Sequence, residues 1–159
     1  MELAEELGVF DYPCPSGGCL LTDPQFANKL RDYIRHEGKP KLEDMILLRL
    51  GRHFRLGRAR AIVGRNEQEN NVLSALADRR SLPRLEVQGH MGPISIIVGD
   101  AEAETIEKVA AITARYSDAP REEDVNVELT DGEKARVCRH LARYLNDTRA
   151  DRERYHQQD

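Results

Sequence analysis

At 159 residues, with 40% hydrophobic and 33% charged residues and a formal net charge of −4, the chain builds one domain, or one with an appendage, under a very polar surface. The acidic balance argues against a generally basic nucleic-acid binder but not against a local basic face. With no tryptophan and 5% aromatics, stacking on many bases is not an expected binding mode.

No apolar run reaches membrane-span length and no signal-peptide core opens the chain. The expectation is a cytoplasmic protein whose three cysteines are thiols or ligands rather than a disulfide framework. Met1 to Leu7 is acidic and reads as the end of a helix begun upstream. Val9 to Tyr12 leads into Pro13-Cys14-Pro15-Ser16-Gly17-Gly18-Cys19, where prolines and glycines forbid regular structure. The spacing of Cys14 and Cys19 suits a shared metal, a redox pair, or a reactive thiol with a resolving partner; it also suits two semi-buried residues of a turn. A closed zinc site needs two more ligands; no second close cysteine pair supplies them, and His36, His53, His90 and Cys138 would serve only where the fold brings them close.

Thr22-Asp23-Pro24 predicts a helix start, with Thr22 or Asp23 as cap and proline at the first helical position. Phe26, Leu30, Tyr33 and Ile34 recur at helical spacing, and His36 to Pro40 ends the helix. Leu42 to Leu50 is a second short apolar segment, with Lys41 to Asp44 as its polar lead-in and Ile46-Leu47-Leu48 buried.

The chain's basic cluster follows: Arg49, Arg52, His53, Arg55, Arg58, Arg60 and Arg65, with no carboxylate between Asp44 and Glu67. Arg49 to Leu56 alternates as a strand, with a turn at Gly57. In an acidic chain such a run points to a polyanion partner, and arginine favours bidentate phosphate contacts. Charged residues also protect a solvated strand edge.

Ala61-Ile62-Val63 reads as a buried strand. Gly64 kinks the backbone, Asn66 is the expected N-cap, and Glu69 stands in the capping-box position. Leu73, Leu76 and Ala77 then form a helical stripe. A helix mouth carrying Arg65, Asn66 and Asn70 suits phosphate, and the same pattern suits an ordinary capped surface helix. Pro83 breaks the helix. Leu85 to Gln88 alternates as a strand, Gly89 to Pro93 forms a turn, and Ile94 to Val98 is the most strand-like run. His90, in that turn, is a ligand, a general base or a turn residue. Asp100 is expected to cap a helix through Ile106, Val109, Ala110, Ile112, Thr113 and Tyr116, whose small face (Ala110, Ala111, Ala114) would pack on a sheet. Val125 to Leu129 alternates as a strand. Thr130-x-x-Glu133 predicts a capping box opening a last helix, with Val137, Leu141, Tyr144 and Leu145 inward. Asp147 to Asp159 is a charged tail.

Ile62-Val63-Gly64-Arg65-Asn66-Glu67-Gln68-Glu69-Asn70-Asn71-Val72-Leu73 resembles the glycine-basic-asparagine-x-x-x-asparagine signature of NFACT RNA-binding domains. Leu85 to Val98 is similar to that family's following hairpin, and Ile106 to Ala119 to its next helix, ending in a tyrosine-serine-x-alanine run. Val87-Gln88-Gly89 before His90, and Ile94-Ser95 after Pro93, depart from the common pattern and match its divergent version better. Tyr12 to Pro24 resembles the segment that follows the ATP-pyrophosphatase domain in thiouridylase-like proteins carrying such an RNA-binding domain.

These resemblances imply an RNA-binding, most readily tRNA-binding, part of a tRNA sulfur-modification protein. The adenylating domain's Ser-Gly-Gly-x-Asp-Ser phosphate loop is missing, since no aspartate-serine follows Gly18. No cofactor is expected in this chain, ATP being implied only for an ATP-pyrophosphatase domain in cis or in trans, and no activity is expected of it alone. Cys14 and Cys19 are implied as sulfur carriers. The alternatives are a sulfur-relay or metal-binding segment, or a module docking on the adenylating domain. The expected fold is α+β, a small mainly antiparallel sheet covered by helices. The expected organisation is a Cys-turn and helix appendage (1–44), an RNA-binding domain (45–146) and a tail (147–159). Arg52, Arg55, Arg58, Arg60 and Arg65 are expected on phosphate, with Asn66, Asn70 and His90 beside them.

Overall fold

The computed structural model describes residues 20–120, 124–131 and 134–141, the last stretch by its backbone. The chain divides after Pro40 into two compact units. In the first, a 3₁₀ turn (Leu20–Thr22) precedes α1 (Pro24–Glu37). Asp23 is the cap: its carboxylate accepts from the Gln25 amide at 2.8 Å, with proline at the first position. Phe26 and Tyr33 are buried, whereas Ile34 stays exposed.

The second unit opens with α2 (Leu42–Arg49), so Arg49 ends a helix and does not begin the strand. Leu47 and Leu48 are buried as expected, but Ile46 is exposed and Asp44 is buried instead. Asp44 reaches back to accept from the Lys41 amide (3.1 Å) and pairs with Arg80 (3.4 Å). Its burial is therefore compensated by charge and hydrogen bonding.

The other elements are β1 (Arg52–Leu56), β2 (Ala59–Val63), α3 (Glu67–Arg80), β3 (Arg84–Val87), β4 (Ser95–Val98), α4 (Ala103–Arg115), β5 (Asp124–Asp131) and β6 (Lys134–Leu141). The six strands form one antiparallel sheet in the order β1-β2-β4-β3-β5-β6. The fold is α+β, as the mixture of alternating and helical periods predicts.

Strand periodicity assigns the two faces. Ala59, Ala61, Leu85, Val87 and Ile97 pack with the β5 residues against Val109, Ala110 and Ala114 of α4. Ile62 and Ile96 point the other way, onto Leu47 of α2 and Leu73 and Ala77 of α3. Alanines on both β2 and α4 let helix and sheet approach closely. Inside the α4 layer the Thr113 hydroxyl lies 2.7 Å from both the Ser95 hydroxyl and the Val109 carbonyl. The carbonyl takes Thr113's proton and Ser95 supplies its own, so neither buried hydroxyl is orphaned.

Two predicted elements are corrected. Asp100 does not cap α4; the helix begins at Ala103, with Glu102 at the cap position and no side-chain cap. Ala101 packs on the core, which holds residues 100–102 as a lead-in. The last predicted helix is instead strand β6, paired with β5 from Asp131↔Lys134 to Asp124↔Leu141. Asp131-Gly132 is a hairpin signal, and a long ladder outweighs the capping-box pattern at Thr130. Glu133, Tyr144, Leu145, Val9 to Tyr12 and the tail lie outside the described residues. Among those described, no helix is long and apolar enough to cross a membrane.

Ser81 ends α3 in the left-handed region, at φ +51°. Ser81→Gly is expected to stabilise the protein by roughly 0.5–1 kcal/mol, the relief of left-handed strain less the added chain entropy. Urea unfolding reads this directly; a drop in stability would contradict it.

Candidate nucleic-acid interface

One end of the sheet gathers the starts of β1 and β4, the ends of β2 and β3, the mouth of α3 and the end of α4. Asn66 caps α3 as expected, its side chain accepting from the Glu69 amide at 2.9 Å. Glu69 does not close a capping box. Its carboxylate turns outward from the helix and accepts from the Arg65 amide (2.9 Å), the Gly51 amide (3.2 Å) and the Arg65 Nε (3.0 and 3.1 Å). Thus the anion seated beside this helix mouth is the chain's own carboxylate. An incoming phosphate is left the outer side of Arg65, whose side chain is 41% exposed.

Asn70 has an equally internal task. Its Oδ1 accepts from the Ile94 amide (3.0 Å) and its Nδ2 donates to the Gly92 carbonyl (3.3 Å). Gly64 makes this possible: a Cβ at position 64 would stand 2.0 Å from Asn70 Oδ1. The Gly64 amide also donates to the Ile94 carbonyl at 3.0 Å. The spacing of Gly64, Asn66 and Asn70 is therefore a clamp between α3 and the 89–94 loop. That loop is tied on its other side by the Asp118 amide donating to the Met91 carbonyl (2.8 Å). His90 is thereby presented, exposed, on a held loop.

The arginine run divides by strand parity. Arg52 lies on the α4 face, its guanidinium carbon 4.7 Å from the Tyr116 ring centroid. His53, Arg55 and Arg60 lie on the opposite face, with Arg55 directly across from Arg60. His53 Nε2 donates to the carbonyls of Leu47 (3.1 Å) and Leu50 (3.0 Å), closing the end of α2. Arg58 is exposed in the β1–β2 turn, with ~13 Å of strand between positions 52 and 56. Arg60 is only 1% exposed; enclosed on a central strand, it does not reach a ligand phosphate in this fold. The structure thus brings together Arg52, Arg65, Asn66, Asn70 and His90, and sets Arg55 and Arg58 progressively further along the edge. Cys14 and Cys19 lie outside the described residues.

Sequence reasoning missed Glu69's true partners and the Arg52–Tyr116 contact. The signal for the first was present: a carboxylate four residues after an arginine at a helix start. Nothing local signals the second, since the two residues meet only through the fold. The Glu69 carboxyl is held below its ordinary value of 4.5, chiefly by the Arg65 side-chain hydrogen bond; burial opposes this, and the Arg65 amide, the Arg65 charge and the Gly51 amide reinforce it.

Compared with known proteins, residues 51–152 match the family described as NFACT protein RNA binding domain. No curated protein matches. Among solved structures, the C-terminal of the fibronectin/fibrinogen-binding protein from Streptococcus suis is similar, with TM-score 0.52 and 14% identity, covering 82% of this chain and 63% of that one. At that identity the likeness is one of fold.

The clamp and its carboxylate are both open to measurement. Gly64→Ala should cost about 1–3 kcal/mol by forcing Asn70 away, and much of that cost should vanish in an Asn70→Ala background, where the added methyl has room. Denaturant unfolding of the four-member cycle checks it; strict additivity would contradict the clamp. Because the folded pKa of Glu69 lies below 4.5, its contribution is complete above that value and disappears as pH falls through the folded pKa. Glu69→Gln should therefore be less stable than the parent near neutrality, with the gap closing under acid. A pH-independent gap in unfolding free energy would refute this.

Proposed function

This chain belongs to the family of NFACT protein RNA-binding domains, and from that premise we propose that it binds structured RNA, tRNA foremost, in the service of a tRNA-thiolating enzyme. The observation that supports the RNA part is that, of the carboxylate-free arginine run, Arg52, Arg58 and Arg65 remain at least partly exposed in or beside the edge hairpin β1–β2. Arg52 and Arg65 stand at the end where α3 begins, and Arg58 at the far turn. An acidic protein that clears carboxylates from one such stretch has a local field that attracts phosphate despite its net charge. Arg65 reaches phosphate from a position braced by Glu69, so little side-chain freedom is given up on binding.

The thiolation part rests on the Tyr12 to Pro24 block, which resembles the segment after an adenylating domain in thiouridylase-like proteins. In that reading an ATP-pyrophosphatase domain, in cis or in trans, activates the tRNA uridine in the cytoplasm. The thiolate of Cys14 or Cys19 then attacks the outer sulfur of a donor cysteine persulfide, the donor's thiolate leaves, and the new persulfide carries that sulfane sulfur toward the activated uridine. This chain contributes RNA capture and no ATP site.

Titration of tRNA across a salt series tests the first part. Affinity is expected to fall linearly with log salt. Replacing Arg52, Arg58 and Arg65 by alanine should reduce the slope by about 0.7–0.9 for each phosphate that no longer has a cation beside it. Affinity indifferent to salt, or to the triple replacement, would overturn the phosphate-binding role of these arginines. For the second part, thionucleosides in tRNA from cells lacking the gene should be depleted; unchanged levels would overturn the thiolation role.

A further inference from the structure

We propose that Arg52 and Tyr116 form a stacking step for one unpaired base of the bound RNA, a refinement that rests on the RNA-binding reading above. The guanidinium carbon of Arg52 lies over the Tyr116 ring, 4.7 Å from its centroid. The Phe54 ring sits 6.2 Å from Tyr116, tilted by 43°. All three side chains are half-buried and meet on one face of β1, the strand that ends the sheet order. A cation–π contact uses one face of the planar guanidinium. Arg52 is half-buried rather than enclosed, so part of its side chain stays accessible to a second planar group.

The step is held rigidly from both sides. Gly51, just before Arg52, has φ +56°, and a Cβ there would stand 2.4 Å from the Val63 carbonyl oxygen. Its amide is fixed by Glu69 at 3.2 Å. Tyr116 ends α4, its amide donating to the Ile112 carbonyl at 3.2 Å. Two residues on, Asp118 holds the loop that carries exposed His90 and Met91, the latter 80% exposed. A rigid plane of arginine on tyrosine, beside an exposed histidine and methionine, is poorly explained by phosphate binding alone. A phosphate is held by the N–H edge of a guanidinium and does not require its plane to lie on an aromatic ring. Unpaired RNA bases stack on aromatic rings and on arginine planes, whereas bases inside an A-form duplex offer no free face. One stacking step also agrees with a composition too poor in aromatics for many.

The test compares a hairpin RNA with a single-stranded loop against a blunt duplex of the same stem, by fluorescence anisotropy with the full chain. Stacking predicts that the loop RNA binds tighter. Arg52→Lys keeps the charge and should lower loop affinity by roughly 5- to 100-fold, with a distinctly smaller loss on the duplex, where only its phosphate contact changes. Tyr116→Leu should do the same without altering the salt slope, while Tyr116→Phe, which keeps the ring, should bind like the parent and guards against a simple folding defect. If Arg52→Lys binds the loop RNA normally, or weakens loop and duplex alike, the stacking step is overturned and the RNA-binding reading stands. If neither RNA binds the parent protein, both fall.

Discussion

The carboxylate of Glu69 is the point on which the α3-mouth end of the domain is built, because it joins three segments of the chain. It holds the amide before β1, the amide after β2 and the guanidinium of Arg65. Each bond is charge-assisted, and the one from Gly51 is buried, where such bonds are strong. The Gly64 and Asn70 clamp then extends the same order to the 89–94 loop. Residues that look in sequence like an anion site are therefore engaged in ties within the domain.

That distinction matters for how the arginines are weighed. A carboxylate-free run is a sound pointer to a field, but the alternation of a strand sends its members to opposite faces. Arg60 is enclosed, Arg52 is stacked on Tyr116, Arg65 is braced by Glu69, and Arg58 stands at the exposed turn. Four arginines close in sequence thus have four different environments. The RNA-binding family to which the chain belongs is consistent with a small local basic edge on a protein whose net charge is −4.

The fold around this end is economical in its chemistry. β2 is buried along its whole length, and its alanines face α4, which answers with Ala110 and Ala114. β5 keeps strict alternation over Val125 to Leu129, with Val125, Val127 and Leu129 on the covered face. These are the two patterns expected of a strand covered on both faces and of one covered on a single face.

Much of this was legible in the residues themselves. The caps at Asp23 and Asn66, the buried run Ala61-Ile62-Val63, the small face of α4 and the alternation of β5 follow from propensity and period, which are local properties. Three things were decided only by the tertiary structure. The segment after Asp131 became β6 because a ladder along β5 outweighs a capping pattern whose signal is worth about 1 kcal/mol. Glu69 left the capping box because Gly51, 18 positions away, supplied a further donor. Arg52 found Tyr116 because strand parity and the length of α4 place them on the same face. Local sequence sets what each segment prefers; which polar groups meet depends on distances that only the closed sheet defines.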